Sequence, residues 1–427
     1  MNTRTRLFLS LVTLLLSAGV AHAQSNFYLK QGDRVVFYGD SITDQRLYTT
    51  FTETYVLTRF PKMNVTFVHS GWGGDRVTGG GGGPIDLRLT RDVFAYKPTV
   101  MTVMLGMNDA SYRPFDPNIF ATYSNGLQHI IDSMKTTIPG IRMTLIQPSP
   151  FDDVTRPVSF EGGYNAVLVR YGEHIKSLAQ KERLDVADLN TAVVASLEKA
   201  KALDTAPVNP GSLTLAQRII ADRVHPGAGG HLLMAEALLK AWNAPSLVSN
   251  VEIDVTSKVE ARGENTRVSG TEWQEGVLRW SQTDKALPMP LNMNDAPLAL
   301  CVRASDIVEA LNQQPLKVSG LTSANYTLSI DDQKIGVFSK EQLAEGVNLA
   351  LLATPMAKQA MDVHALTLLH NDVHFTRWRI VQVPHQDNLH SAYLKSMEAL
   401  DKAEAEIVKQ QRTTAQPKQH RFELRPV

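Results

Sequence analysis

The sequence predicts an α/β fold built on a parallel sheet, followed by a second domain of mixed β and helical character. Three observations carry this. Five short apolar runs, at residues 34–38, 65–68, 100–105, 142–146 and 184–187, alternate with longer segments. Those between, such as 118–135 and 162–181, carry apolar residues at three- and four-residue steps, the helical period. Strand–helix alternation of this kind gives a parallel sheet with helices on both faces. The length of 427 residues exceeds what one core usually fills. Beyond residue 249 the alternation gives way to strand-like runs and then to long helices.

At the N-terminus Arg4 and Arg6 precede an apolar run at 7–20, and Ala21-His22-Ala23 follows. This is the order of a secretory signal peptide. Residues 1–23 are therefore expected to be removed after Ala23, placing the protein in the periplasm or outside the cell. The apolar run is short for a membrane span, so no stable membrane insertion is expected after cleavage; an uncleaved anchor is the alternative. Removal leaves 41 basic against 43 acidic residues. So balanced a charge implies no broad attraction to nucleic acid or anionic membrane.

Residues 24–248 form the expected first domain. Its first strand ends in Tyr38-Gly39-Asp40-Ser41, where a polar stretch opens a helix-like segment. A serine here lies at the carboxyl end of a strand, where α/β sheets place ligands, and near a helix N-terminus that favours negative charge. It suits a nucleophile, or it is merely a helix cap. Gly79 to Gly83 run unbroken into Pro84. No Lys-Ser/Thr follows, which excludes a P-loop and leaves a flexible loop beside the site. Helical character resumes at Gly229-Gly230 and runs through Trp242.

The second domain, 249–427, divides into a β-rich part (249–352), a helical part (353–413) and a tail (414–427) expected to be poorly ordered. Strands are expected at 251–259 and 276–281. Residues 326–338, turning at Asp331-Asp332-Gln333, read as a β-hairpin. Helices are expected at 354–381 and 388–412. Cys301, the single cysteine, lies in an apolar run; it makes no internal disulfide and reads as a buried, inert thiol.

Four separated blocks carry chemistry: Gly39-Asp40-Ser41-Ile42, Ser70-Gly71-Trp72-Gly73-Gly74-Asp75-Arg76, Gly106-Met107-Asn108-Asp109 and Asp222-Arg223-Val224-His225. Together they supply what ester hydrolysis needs. A serine hydroxyl requires a general base, and His225 titrates in the right range. Asp222, three residues earlier, can orient that imidazole and stabilise its charged form. The tetrahedral intermediate needs donors aimed at its oxygen. The backbone N–H groups of Ser41 and Gly74 and the side-chain amide of Asn108 offer three. Trp72 and Arg76 beside them either contact substrate or pack. Asp40 reads as shaping the serine turn and Asp109 as anchoring its loop; Asp44 is open between packing and substrate contact.

The order Gly-Asp-Ser, Gly, Gly-x-Asn-Asp, Asp-x-x-His over residues 32–242 resembles the SGNH (GDSL) hydrolases. The resemblance implies a flavodoxin-like three-layer α/β/α domain, no metal or cofactor, and an acyl-serine mechanism. It makes Ser41 the nucleophile, His225 the base, Asp222 the orienting acid, and Ser41, Gly74 and Asn108 the oxyanion hole. Gly74 is preferred to Gly73 because the family glycine precedes a polar residue. Exported relatives of this pattern look like carbohydrate acetylesterases, so an acylated carbohydrate is the expected substrate. A lipid esterase or lysophospholipase, or a glycan-binding protein without turnover, are the alternatives.

His370 and His374 stand four residues apart on an expected helix, with His364 nearby. Asn371 replaces the glutamate of a zinc-protease motif, so these read as packing or polar-rim histidines rather than a metal site.

Overall fold

The computed structural model describes residues 27–205, 208–388 and 390–427. The expected signal peptide and its cleavage site at Ala23 lie outside the described residues. Five strands, β1 (Arg34–Gly39), β2 (Thr66–Gly71), β3 (Val100–Met104), β4 (Arg142–Ile146) and β5 (Asp185–Ala187), form one sheet in the order β2-β1-β3-β4-β5. Every pairing in it is parallel. Strands β1 and β3 are buried along almost their whole length, which is why they read as continuous apolar runs.

Helices α1 (Ser41–Asp44), α2 (Leu47–Arg59), α3 (Ile85–Asp92), α4 (Pro117–Thr137), α5 (Tyr164–Glu182), α6 (Leu189–Leu203) and α7 (Ala228–Ala241) connect and flank the sheet. The strand order is flavodoxin-like, and it reverses direction between β1 and β3. A crevice forms at such a switch point, outside the carboxyl ends of the strands. Ser41 follows β1, Gly73-Gly74 follow β2 and Asn108 follows β3, so the fold delivers three of the four blocks to one place. Trp242 closes the unit from below, buried with its indole N–H donating to Thr144 Oγ1 on β4 at 2.9 Å.

The glycine run is a packed hairpin and not the flexible loop expected. Gly79-Gly80 pair antiparallel with Gly83-Pro84. At Gly79, φ is +93° and a Cβ would come within 2.2 Å of the Gly83 carbonyl; at Gly82 one would lie 2.7 Å from the Trp72 ring. The glycines are there for close approach.

After residue 249 the chain builds two further sheets. One is mixed: β6 (Asn250–Asp254), β7 (Glu260–Glu264), β10 (Pro315–Ser319) and β13 (Val347–Asn348), in the order β13-β10-β6-β7. The other is antiparallel: β8 (Thr266–Gln274), β9 (Val277–Asp284), β11 (Asn325–Ile330), β12 (Gln333–Ser339) and β14 (Gln419–Pro426), in the order β8-β9-β14-β11-β12. The strand expected at 251–259 ends at Asp254, and a separate strand, β7, begins beyond it at Glu260 and pairs back on β6 as a hairpin. Asp331 and Asp332 both take positive φ at the β11–β12 turn, the backbone of a two-residue hairpin. The inner faces share one core that includes Ile253, Trp280, Val318, Leu328, Phe422 and Leu424.

Chain order and packing part company in two places. Helices α8 (Ala296–Ala304) and α9 (Ile307–Leu311) lie beyond residue 249, yet Leu298, Leu300, Cys301, Ile307 and Leu311 belong to the first core. A Cβ on Gly229 of α7 would meet Cys301 Sγ at 2.7 Å, so the two helices approach closely there. Burial raises the Cys301 thiol to about 12, as suits an inert thiol.

The tail is the second case and corrects an expectation. It is ordered as β14, the middle strand of the antiparallel sheet, with Phe422 and Leu424 buried between β9 and β11. Deleting residues 419–427 should therefore collapse the second unit, read as loss of its cooperative melting and as rapid proteolysis. A truncated protein that melts like the full chain would refute that role.

Helix α10 (Pro355–Phe375) lies against α2 of the first unit, and α11 (Ser391–Thr414) packs on α10 and on the π-helical stretch at Thr376–Gln382 that follows it.

Candidate active site

Ser41 is the first residue of α1. Asp40 caps the helix, its Oδ1 accepting the Ile42 N–H at 3.0 Å. Burial raises Asp40 to about 7, and its contacts are those of a turn-shaping residue. His225 Nε2 lies 2.9 Å from Ser41 Oγ, and His225 Nδ1 lies 2.7 Å from Asp222 Oδ2. Asp222 Oδ1 also accepts the N–H groups of His225 (2.7 Å) and Val224 (3.0 Å). Burial pushes Asp222 upward, but these hydrogen bonds outweigh it and hold the carboxyl below its usual value.

The turn that carries His225 is held by a loop far from it in sequence. Arg223, between Asp222 and Val224, takes a left-handed backbone with φ +74°. Its guanidinium is held by Asp152 O, Asp153 Oδ1, Ser159 Oγ and Pro157 O. Strained backbone persists where its surroundings over-determine it, and here that fixes the turn bearing the histidine. Nothing in the sequence marks Arg223, because its partners come from another loop.

The candidate donors come from adjoining loops: a Cβ on Gly73 would lie 4.0 Å from Ser41 Cβ, and Asn108 bonds the residue after Gly74. The Ser41 N–H is the first of the helix and has no intrahelical acceptor. The Gly73 N–H is already taken by Asp44 Oδ2 at 3.2 Å. Gly74 has φ +78° with open space around it, and among the described residues its N–H has no recorded acceptor. Of the two glycines, Gly74 has the free N–H. Asn108 is tied to the same loop, its Nδ2 donating to Asp75 O at 3.1 Å. Asp109 Oδ1 accepts the Val77 N–H at 2.9 Å and so anchors this loop. Burial raises Asp109 to about 6.

Residues 37–233 match the GDSL-like lipase/acylhydrolase family. This part of the chain belongs to that family. An acetylxylan esterase of Geobacillus stearothermophilus is 23% identical over 232 residues, 49% of this chain and 93% of that one. The structure of a gut microbial diltiazem-metabolizing enzyme superposes with a TM-score of 0.79 at 24% identity, covering 94% of this chain and 100% of that one. That likeness in fold runs through both units.

Around the serine of this GDSL domain the remaining candidates separate. Trp72 is engaged in packing: Arg379 lies over its ring, Trp378 meets it edge-on at 5.7 Å, and the glycine hairpin abuts it. Arg76 is exposed at the rim, with its charge near the Asp109 carboxylate. Asp44 bonds Gly73 and lies 3.9 Å from Arg379. The second unit thus reaches the rim through Trp378 and Arg379, a contribution that no motif signalled.

His364 and His370 of α10 face α2, whereas His374 lies against Tyr96, Trp378 and Glu404. His370 Nδ1 meets Glu53 Oε1 and its Nε2 meets Glu404 Oε1, each at 3.1 Å; Glu53 Oε2 also accepts from His69 Nε2 at 3.0 Å. Burial alone would lower His370, but Glu53 and Glu404 outweigh it and lift it to about 10. Burial likewise opposes ionisation of Glu53, yet His370 and His69 hold it well below its usual value. His364 bonds Thr54 Oγ1 and stacks on Phe51. Among the described residues no group of three or more His, Cys, Asp or Glu side chains is arranged to hold a metal ion.

Proposed function

We propose that the protein is an exported serine esterase removing small acyl groups, acetyl above all, from carbohydrate. The observation that carries the catalytic part is the continuous path from Ser41 Oγ through the His225 ring to Asp222, at 2.9 and 2.7 Å. Ser41 Oγ attacks the ester carbonyl carbon while its proton passes to His225 Nε2. Asp222 accepts from Nδ1 and stabilises the imidazolium. The carbonyl oxygen becomes an oxyanion among the N–H groups of Ser41, Gly74 and Asn108, each such donor being worth about 3 kcal/mol of barrier. Collapse breaks the ester C–O bond, and the leaving alkoxide takes the proton from Nε2. Water then attacks the acyl-serine by the same route, releasing the acid and restoring Ser41.

The carbohydrate part rests on two supports. One is the distant relative named as an acetylxylan esterase. The other is the rim: His225 and Asp222 side chains are 37% and 57% exposed, and Arg76 and Tyr112 lie open beside them. An exposed polar rim suits a bulky hydrated alcohol more than a long acyl chain. A large, mostly apolar cavity of about 1310 Å³ lies elsewhere, lined by Tyr28, Phe60 and Arg142 at the N-terminal end of β4. Export rests on the N-terminal sequence pattern.

The test compares acetate release from acetylated plant oligosaccharides with hydrolysis of acyl esters of two to sixteen carbons, using Ser41→Ala as control. Ser41-dependent acetate release, with rates falling as the acyl chain lengthens, is the expected result. Rates rising with chain length would replace this reading by a lipid esterase. Binding of glycan without turnover would replace it by a glycan-binding protein.

A further inference from the structure

Between β3 and α4 two successive residues other than glycine take left-handed backbone, Ser111 at φ +60° and Tyr112 at φ +54°. Such conformations are costly for residues with a Cβ and cluster where a site demands them. Several contacts hold this one. The Ser111 N–H donates to Asn108 O at 3.1 Å, and Ser111 Oγ–H donates to Asp109 O at 3.2 Å. The Tyr112 ring stacks on Tyr164 at 5.0 Å and meets Phe151 edge-on at 6.3 Å.

Tyr112 nonetheless stays 44% exposed, so burying its ring is not what the turn achieves. What it achieves is to bring the Tyr112 hydroxyl to Asn108 Oδ1, to which it donates at 3.1 Å. The other end of that amide is also held, since Nδ2 donates to Asp75 O at 3.1 Å. A side-chain amide carries two N–H donors. With its oxygen capped by Tyr112 and one N–H on Asp75, the second N–H has no acceptor among the described residues and is held in a fixed direction. A flipped amide would instead set oxygen against the Asp75 carbonyl and leave the tyrosine hydroxyl without its acceptor.

We propose that Tyr112 is a positioning residue for ester hydrolysis, its hydroxyl holding the Asn108 amide so that the free Nδ2–H faces the carbonyl oxygen of an ester bound at Ser41. The inference rests on the reading of Asn108 as an oxyanion donor and adds the residue that orients it. The hydroxyl remains a donor throughout the working range, because burial, with the Asp40 and Asp222 carboxylates nearby, raises it to about 12. Donors set before the reaction begins need no reorganisation as the charge develops, so the benefit falls on the transition state and not on ground-state binding.

Tyr112→Phe keeps the ring and its stacking while deleting the hydroxyl. With p-nitrophenyl acetate, kcat should fall by about tenfold, less than the loss of a whole donor, with KM almost unchanged. In an Asn108→Ala background the same substitution should have no further effect, since coupled residues are not additive. An unchanged kcat for Tyr112→Phe, or an equal loss in both backgrounds, would overturn the proposal. A second measurement does not depend on turnover. The Asn108 side-chain amide protons, assigned by NMR from the signals lost in Asn108→Asp, should exchange with water faster in Tyr112→Phe. A wild-type protein inert toward the ester would defeat the esterase reading; the exchange rates would still decide the hydroxyl's role, faster exchange supporting it and unchanged exchange overturning it.

Discussion

Ser41→Ala and His225→Ala should each lower kcat by roughly 10⁴- to 10⁶-fold in a protein that still folds. The size follows from the geometry. Among the described residues Ser41 Oγ has one base within hydrogen-bond reach, His225 Nε2 at 2.9 Å. Without that base the hydroxyl is a poor nucleophile near neutral pH, and without the hydroxyl no acyl-enzyme forms. The losses should not add. The double variant should be no slower than either single one, because each substitution removes the same covalent path. Asp222→Ala should cost less, on the order of 10⁴-fold, since the base remains and only its orientation and charge stabilisation are lost. Single-turnover kinetics with an activated acetyl ester, alongside circular dichroism for folding, make the comparison. A folded Ser41→Ala protein within tenfold of wild type would exclude the acyl-serine route.

Glu53→Gln should destabilise the whole chain by about 3–5 kcal/mol, because removing one partner of a buried pair leaves the other uncompensated. Glu53 on α2 and His370 on α10 are almost fully buried, and Glu404 on α11 closes the far side of the imidazole. Charge is balanced there only while the helices of both units are together. The pH dependence has a definite sign. His370 is held above its usual 6.5, at about 10. Its contribution is therefore whole below pH 6.5 and is lost as pH rises through 10. Glu53 and Glu404 are depressed from 4.5, so theirs is present above pH 4.5 and is lost toward strong acid. His69, lowered by burial to about 4, works the opposite way below pH 6.5, which makes the alkaline side the clean one. Between pH 7 and 10 the melting temperature of the wild type should fall more steeply than that of Glu53→Gln. Parallel slopes would show that His370 does not carry its charge at the seam.

How much of this was legible in the sequence depends on how local the information was. The sequence marks β4 to the residue and β1 and β3 to within one, because strands buried on both sides are continuous apolar runs in any context; the edge strand β5 also falls within one residue, although Asp185 and Val186 are exposed. The Asp331-Asp332 turn was legible because two adjacent aspartates tolerate left-handed backbone. Strand β14 was missed although its signal was present: Phe422 and Leu424 alternate with Arg421, Glu423 and Arg425. So short a period at a chain end does not separate a strand from a frayed tail until β9 and β11 supply its neighbours. The glycine run was misread because glycine permits looseness and close packing equally, and only the neighbours Trp72 and Arg88 decide between them.

By itself the sequence determined the strand–helix alternation, the strand ends that bear Ser41 and Asn108, and the spacing of Asp222 from His225. These are short-range properties, fixed by burial pattern and by residues a few positions apart. Tertiary structure alone decided that α8 and α9 return to the first core and that the tail becomes a central strand. It also decided that Glu53 meets His370 more than three hundred residues away, that Arg223 pins the histidine turn, and that Tyr112 caps the Asn108 amide. Each depends on which surfaces meet after the chain has folded. That is settled by many small burial and hydrogen-bond terms between distant segments, and no local pattern records their sum.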